Sequence, residues 1–171
     1  MSRFILVFYT AFAAFVLFAD DEAFDLASST ARFSEDEARL KAEYKKYVKK
    51  VDKPSEEIVV PVENHPDGSL KVEVCAGKAQ FFNKDAIIWC GDVIVREFGL
   101  DKKLKMELEA DTCIIDRNTK SGWINGLGKG HYGKTKIQGR GIYFSFSEEF
   151  VKILSNVMVE SSEIKFEGVE L

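Results

Sequence analysis

The segment Gly128-Lys-Gly-His-Tyr-Gly133-Lys134-Thr135 has the spacing G-x-x-x-x-G-K-[ST], with G-x-G-x-x-G inside it. Such a loop cradles phosphates on backbone N–H groups and sets a lysine against their charge. That chemistry needs a buried strand before the loop and a helix opening at Lys134-Thr135, whose free N–H groups and dipole hold the anion. The residues that follow are Lys136-Ile-Gln-Gly139-Arg-Gly141-Ile-Tyr-Phe, two glycines and a strand alternation where the helix should start. The segment reads as a loop between strands. His65 and His131, the two histidines, lie in loop-like contexts with no carboxylates at ligand spacing. Asp111 and Asp116 flank an apolar strand pattern and read as turn and edge residues, not as a paired acid and base. Cys75, Cys90 and Cys113 show neither C-x-x-C nor a metal-ligand spacing. All three fall on apolar strand patterns and are expected as buried packing residues, one disulfide with a thiol left over being the alternative in an exported protein. No constellation for catalysis emerges, so the expectation is a non-enzyme with no cofactor and no metal.

The elements behind these residues are strands. From Glu56 onward the apolar period is two: Ile58/Val60/Val62, Leu70/Val72/Val74, Ile87/Trp89, Val93/Val95, Leu104/Met106/Leu108, Val151/Ile153, Val157/Val159 and Ile164/Phe166, with Pro66-Asp67-Gly68 as a hairpin turn. Two segments, 75–95 and 139–159, repeat one layout: strand, tight polar turn, strand, a small or polar break, then Val-x-Val. A repeated hairpin points to stacked antiparallel strands, each burying its apolar face against its neighbours. Ile87, Trp89, Val93 and Val95 share odd parity, as do Val151, Ile153, Val157 and Val159, so one continuous apolar face is expected. Ile88, Cys90, Phe144, Phe146 and Phe150 add apolar surface of the other parity, more than a sheet with one wet face needs. Part of it is expected to line an apolar groove.

Before the strands come two other pieces. Arg3 precedes an uncharged stretch, 4–19, and then Asp20, Asp21, Glu22 and Asp25. A basic start and a short apolar run form an export signature, so 1–19 is read as a signal peptide or a short inner-membrane anchor. Residues 20–55 supply a polar linker and one amphipathic helix. Ser34-Glu-Asp-Glu37 has capping-box spacing, Leu40, Tyr44, Tyr47, Val48 and Val51 form an apolar stripe over 34–50, and Pro54 ends it. Its lysines read as a solvated face or as a surface for a membrane or partner. Residues 56–171 form the single β domain. Lys+Arg 24 against Asp+Glu 28 gives a net charge of −4, which asks for no nucleic acid.

Residues 69–160 also carry a family resemblance. Ala76-Gly-Lys-Ala79-Gln-Phe-Phe-Asn83, then Ile87-Ile-Trp-Cys-Gly91-Asp-Val93-Ile-Val95, resembles the repeat of the lipopolysaccharide-transport proteins LptA and LptC (OstA-like). Leu108-Glu-Ala110-Asp111 with Cys113-Ile-Ile-Asp116, and 137–159, resemble the strand pairs that follow it. The resemblance, closer to LptC, implies an antiparallel β-jellyroll open at both ends, in the periplasm, sheltering the acyl chains of lipopolysaccharide on their way to the outer membrane. It implies other jellyroll proteins of the bridge as partners, and an inner-membrane ABC transporter if the chain is anchored. The groove is then expected from Ile87, Trp89, Val93, Val95, Met106, Leu108, Ile153 and Val157. The docking edge is expected from Val157, Val159, Ile164 and Phe166. A structural or adaptor β domain with an ordinary packed core is the alternative.

Overall fold

The computed structural model describes residues 5–10, 13–17, 26–148 and 150–161, with side chains over 33–148 and 150–160. β1 (Ile5–Thr10) and β2 (Ala13–Leu17) precede α1 (Leu26–Tyr47) and a short 3-10 turn, Val48–Lys50. Then come β3 (Ser55–Asn64), β4 (Leu70–Phe82), β5 (Ile87–Phe98), β6 (Leu104–Asp116), β7 (Ser121–Tyr132), β8 (Thr135–Ser145) and β9 (Phe150–Ser161). β3 to β9 pair in strict sequence order, each antiparallel to the next, as alternation and short polar turns demand. The β1–β2 hairpin occupies the stretch expected to be an export or anchor segment, and β1 runs parallel to the first residues of β9. No helix among the described residues is long and apolar enough to cross a membrane.

A crease crosses the sheet. Glu57 and Asp92, at φ 52° and 51°, flank Gly77, and Gly141 at φ 68° and Asn156 at φ 52° continue the line through β8 and β9. The left-handed region suits Gly, Asn and Asp and turns a strand sharply. A Cβ on Gly77 would stand 3.1 Å from that of Asp92, so this crossing point favours a residue without one. One buried cluster holds Val72, Val74 and Ala76 before the crease and Ala79 after it on β4, and Ile88 and Cys90 before it and Val93 and Val95 after it on β5. The inward set changes parity while staying inside, as it does when a strand turns a corner. The sheet therefore folds back on itself. Lys120 Nζ, in the β6–β7 turn, meets Glu63 Oε1, near the far end of β3, at 3.1 Å, which closes the two halves over the shared core.

Expected parity consequently fails on β5 and holds on β9. Asp92 rotates the strand, so Ile87 and Trp89 face away from Val93 and Val95, whereas Val151, Ile153, Val157 and Val159 all face inward.

α1 lies on the outside of the half that carries Ile87 and Trp89. Phe33, Leu40, Tyr44 and Tyr47 bury against Ile87, Ile114, Trp123, Tyr143 and Phe150, with Phe33 stacked on Phe150 at 4.1 Å. The helix starts at Leu26, so Ser34 is interior to it and the capping box does not form. Glu37 is instead buried, its carboxylate 2.6 Å from Lys152 Nζ and also paired with Lys41. A carboxylate whose charge is matched from β9 has no need to reach back to a helix start.

Candidate functional site

The interior between the two halves is the site the sequence singles out. Val93, Val95, Met106, Leu108 and Ile153 come together there and are enclosed, Val95, Met106, Leu108 and Ile153 at 0% exposure. Val157 packs at the margin of the same cluster. Ile87 and Trp89 do not join them; they lie across the sheet under α1. The groove residues thus divide between two apolar layers because the left-handed Asp92 sits between them.

The interior thins out towards the outer strands. Ile58, Val60 and Val62 on β3, and Val157 and Val159 on β9, are half-buried where their counterparts on β5 and β6 are sealed. β3 is the last strand on one side, and Pro61 within it suits an edge, where one N–H is not required. A cleft of about 320 Å³ opens beside it, lined by Val60, Pro61, Val62, Ala86, Arg117 and Asn118. On the other side β1 covers Phe150 to Ile153 of β9 and stops, so the stretch carrying Val157 and Val159 pairs only with β8 among the described residues. Ile164 and Phe166, the rest of the expected docking edge, lie outside the described residues.

The phosphate-loop spacing has a different cause. Gly133 at φ 57° and Lys134 form the two-residue turn between β7 and β8. A Cβ on Gly130 would stand 1.9 Å from the Glu107 carbonyl oxygen, and one on Gly128 would stand 2.5 Å from Ile142 Cδ1. These glycines let strands and side chains approach, and a strand, β8, opens at Thr135 where a phosphate cradle would need a helix. The surrounding outer face is a ladder of cross-strand ion pairs: Lys129 to Glu109 at 3.1 Å, Lys136 to Glu160 at 3.6 Å and Arg96 to Glu107 at 2.8 Å. That pattern belongs to a wet sheet face.

Polar groups that the sequence did not single out fix the helix. Asp36 accepts hydrogen bonds from Ser121 Oγ at 2.7 Å, Tyr143 OH at 2.9 Å and Arg39 Nε at 3.0 Å. Burial alone would raise its pKa, but the donors outweigh it and hold the carboxyl below its ordinary value. Burial, seconded by the Asp36 charge, pushes the Tyr143 hydroxyl up. Arg39 continues to Asp116 at 2.7 Å, so Asp116 anchors the helix besides capping its own turn through Asn118 N at 2.8 Å. The one signal for this network in the sequence is its phase, since Asp36 and Arg39 flank the apolar stripe at i, i+3. No group of three or more His, Cys, Asp or Glu among the described residues is arranged to hold a metal ion.

No family model matches this chain, and no curated protein does.

Proposed function

We propose that this domain is a lipopolysaccharide-transport component of the LptA/LptC type, an open β-jellyroll that shelters acyl chains and passes them from one jellyroll to the next. The carrying observation is the gradient of the apolar interior, sealed at β5 and β6 and half-exposed along the edge strand β3 and along the stretch of β9 beyond its pairing with β1. A stack of such units makes one interior continuous with the next, and each methylene kept from water there is worth about 0.8 kcal/mol. Main-chain pairing of β9 with the β3 of a neighbour supplies the join. In this reading the domain works in the periplasm, alongside other jellyroll proteins and an inner-membrane ABC transporter that provides the energy.

A photo-reactive amino acid tests it. Placed at Val62 or Val157 it should crosslink to lipopolysaccharide, and placed at Trp89, under the helix, or Lys84, in a turn, it should not. Equal labelling at all four, or none at any, overturns the reading. The packed-core adaptor has one observation in its favour, the 0% exposure of Val95, Met106 and Leu108. On that reading the purified domain carries no lipopolysaccharide and the rim positions stay unlabelled.

A further inference from the structure

Cys90 on β5 and Cys113 on β6 stand directly opposite one another in the antiparallel ladder, and both are fully enclosed thiols. Opposed residues in such a ladder have Cα atoms about 4.5–5.5 Å apart, inside the ~4.4–6.8 Å that a disulfide spans. Both side chains belong to the same interior cluster, so their Cβ atoms point the same way. Cys75 is on the opposite face of its strand, where its sulfur is 3.8 Å from Glu73 Oε1 and 3.7 Å from Arg96 Nη1. Of the three pairings that three cysteines allow, the fold therefore brings one into bonding position.

We propose that Cys90 and Cys113 are a disulfide-forming pair, closed by exchange with a disulfide-bearing oxidant while the sheet assembles, and that Cys75 remains a thiol. One thiolate attacks a sulfur of the oxidant disulfide, expels the other sulfur as a thiolate and leaves a mixed disulfide. The second cysteine then displaces the remaining oxidant sulfur. The chain loses two protons and two electrons, and the oxidant disulfide becomes two thiols. Exchange belongs to assembly because the finished sheet excludes the oxidant, and the Cys113 thiol, hydrogen-bonded to Cys90 and buried, is held well above its ordinary pKa. The bond staples β5 to β6 close to the crease, since Cys90 is followed by Gly91 and the left-handed Asp92.

The pairing is independent of the lipid reading and is tested without lipid. The full-length chain is reduced, unfolded and refolded in a mixture of reduced and oxidised glutathione, quenched with an alkylating agent and mapped by mass spectrometry. The expected map has Cys75 alkylated and a linked Cys90–Cys113 peptide, lighter than the reduced pair by about two hydrogen masses. Cys75→Ser should give the same linkage. Alkylation of all three cysteines in the folded product, or any linkage through Cys75, overturns the proposal. If refolding gives no folded protein, the same map on the chain produced in an oxidising compartment decides between these results.

Discussion

At Gly130 the missing side chain is the function of the residue. Its position leaves 1.9 Å between a would-be Cβ and the Glu107 carbonyl, and a backbone atom cannot swing aside. Gly130→Ala should therefore cost about 2–3 kcal/mol of stability in a urea melt, a strain effect of the overpacking kind. Lys134→Ala, in the turn four residues on, should change stability by no more than about 0.5 kcal/mol. The pair of measurements separates strand packing from a phosphate cradle, for which the lysine would be indispensable. Asp36 gives a second prediction at this scale. Its folded pKa lies below the unfolded value, so its contribution is fully present above the unfolded pKa, near 4, and is lost as pH falls through the folded one. Helix docking, followed by near-ultraviolet circular dichroism of Tyr143 and Trp123, should weaken over that acid range. Asp36→Asn should be weaker at neutral pH and flatter with acid.

The helix is held by an ion pair that its own sequence only half contains. Glu37 and Lys152 are 7% and 8% exposed in their side chains and meet at 2.6 Å. Removing one partner strands a buried charge, so Glu37→Ala should destabilise by about 3 kcal/mol in chemical denaturation, while Glu37→Met with Lys152→Met should recover most of the loss. This pairing also marks what could be read from the residues. The helix, its apolar stripe Leu40, Tyr44 and Tyr47, and the strands from β3 to β9 other than β7 follow from periods of 3.6 and 2, whereas β7 runs through Gly128 to Tyr132, where glycines hide the alternation and the sequence reads as a loop. The start of the helix and the role of Glu37 did not follow, because the partner lies 115 positions away on β9. The division of the groove residues was hidden for a related reason. Alternation counts assume an unbroken strand, and one left-handed residue, Asp92, reverses the count for everything before it. The clue was present, since a Gly-Asp break stood between Trp89-Cys90 and Val93, but parity alone does not say which way a break turns.

For the molecule as a whole, the outer strands decide whether it works alone. Unpaired strand edges recruit other strands unless they are blunted by charge, proline or a cover. β3 has Pro61, whereas the stretch of β9 with Val157 and Val159 turns Met158 and Glu160 outward and nothing charged inward. Val159→Lys puts a charge at the half-buried margin of the interior. It should abolish head-to-tail association, read by analytical ultracentrifugation with a partner jellyroll, while the far-ultraviolet β signal persists; association that survives would show that β9 is not the joining edge. The same strand order carries a consequence for how the chain is made. Each strand from β4 to β9 finds its partner in the strand just before it, so a chain delivered N-terminus first can zip hairpin by hairpin without waiting for a distant segment, a topology of short sequence separations that favours rapid folding. The growing end is always the newest strand. Among the described residues β9 is the last strand in chain order, so the proposed join from its uncovered stretch to a neighbour would continue the direction in which each molecule is built.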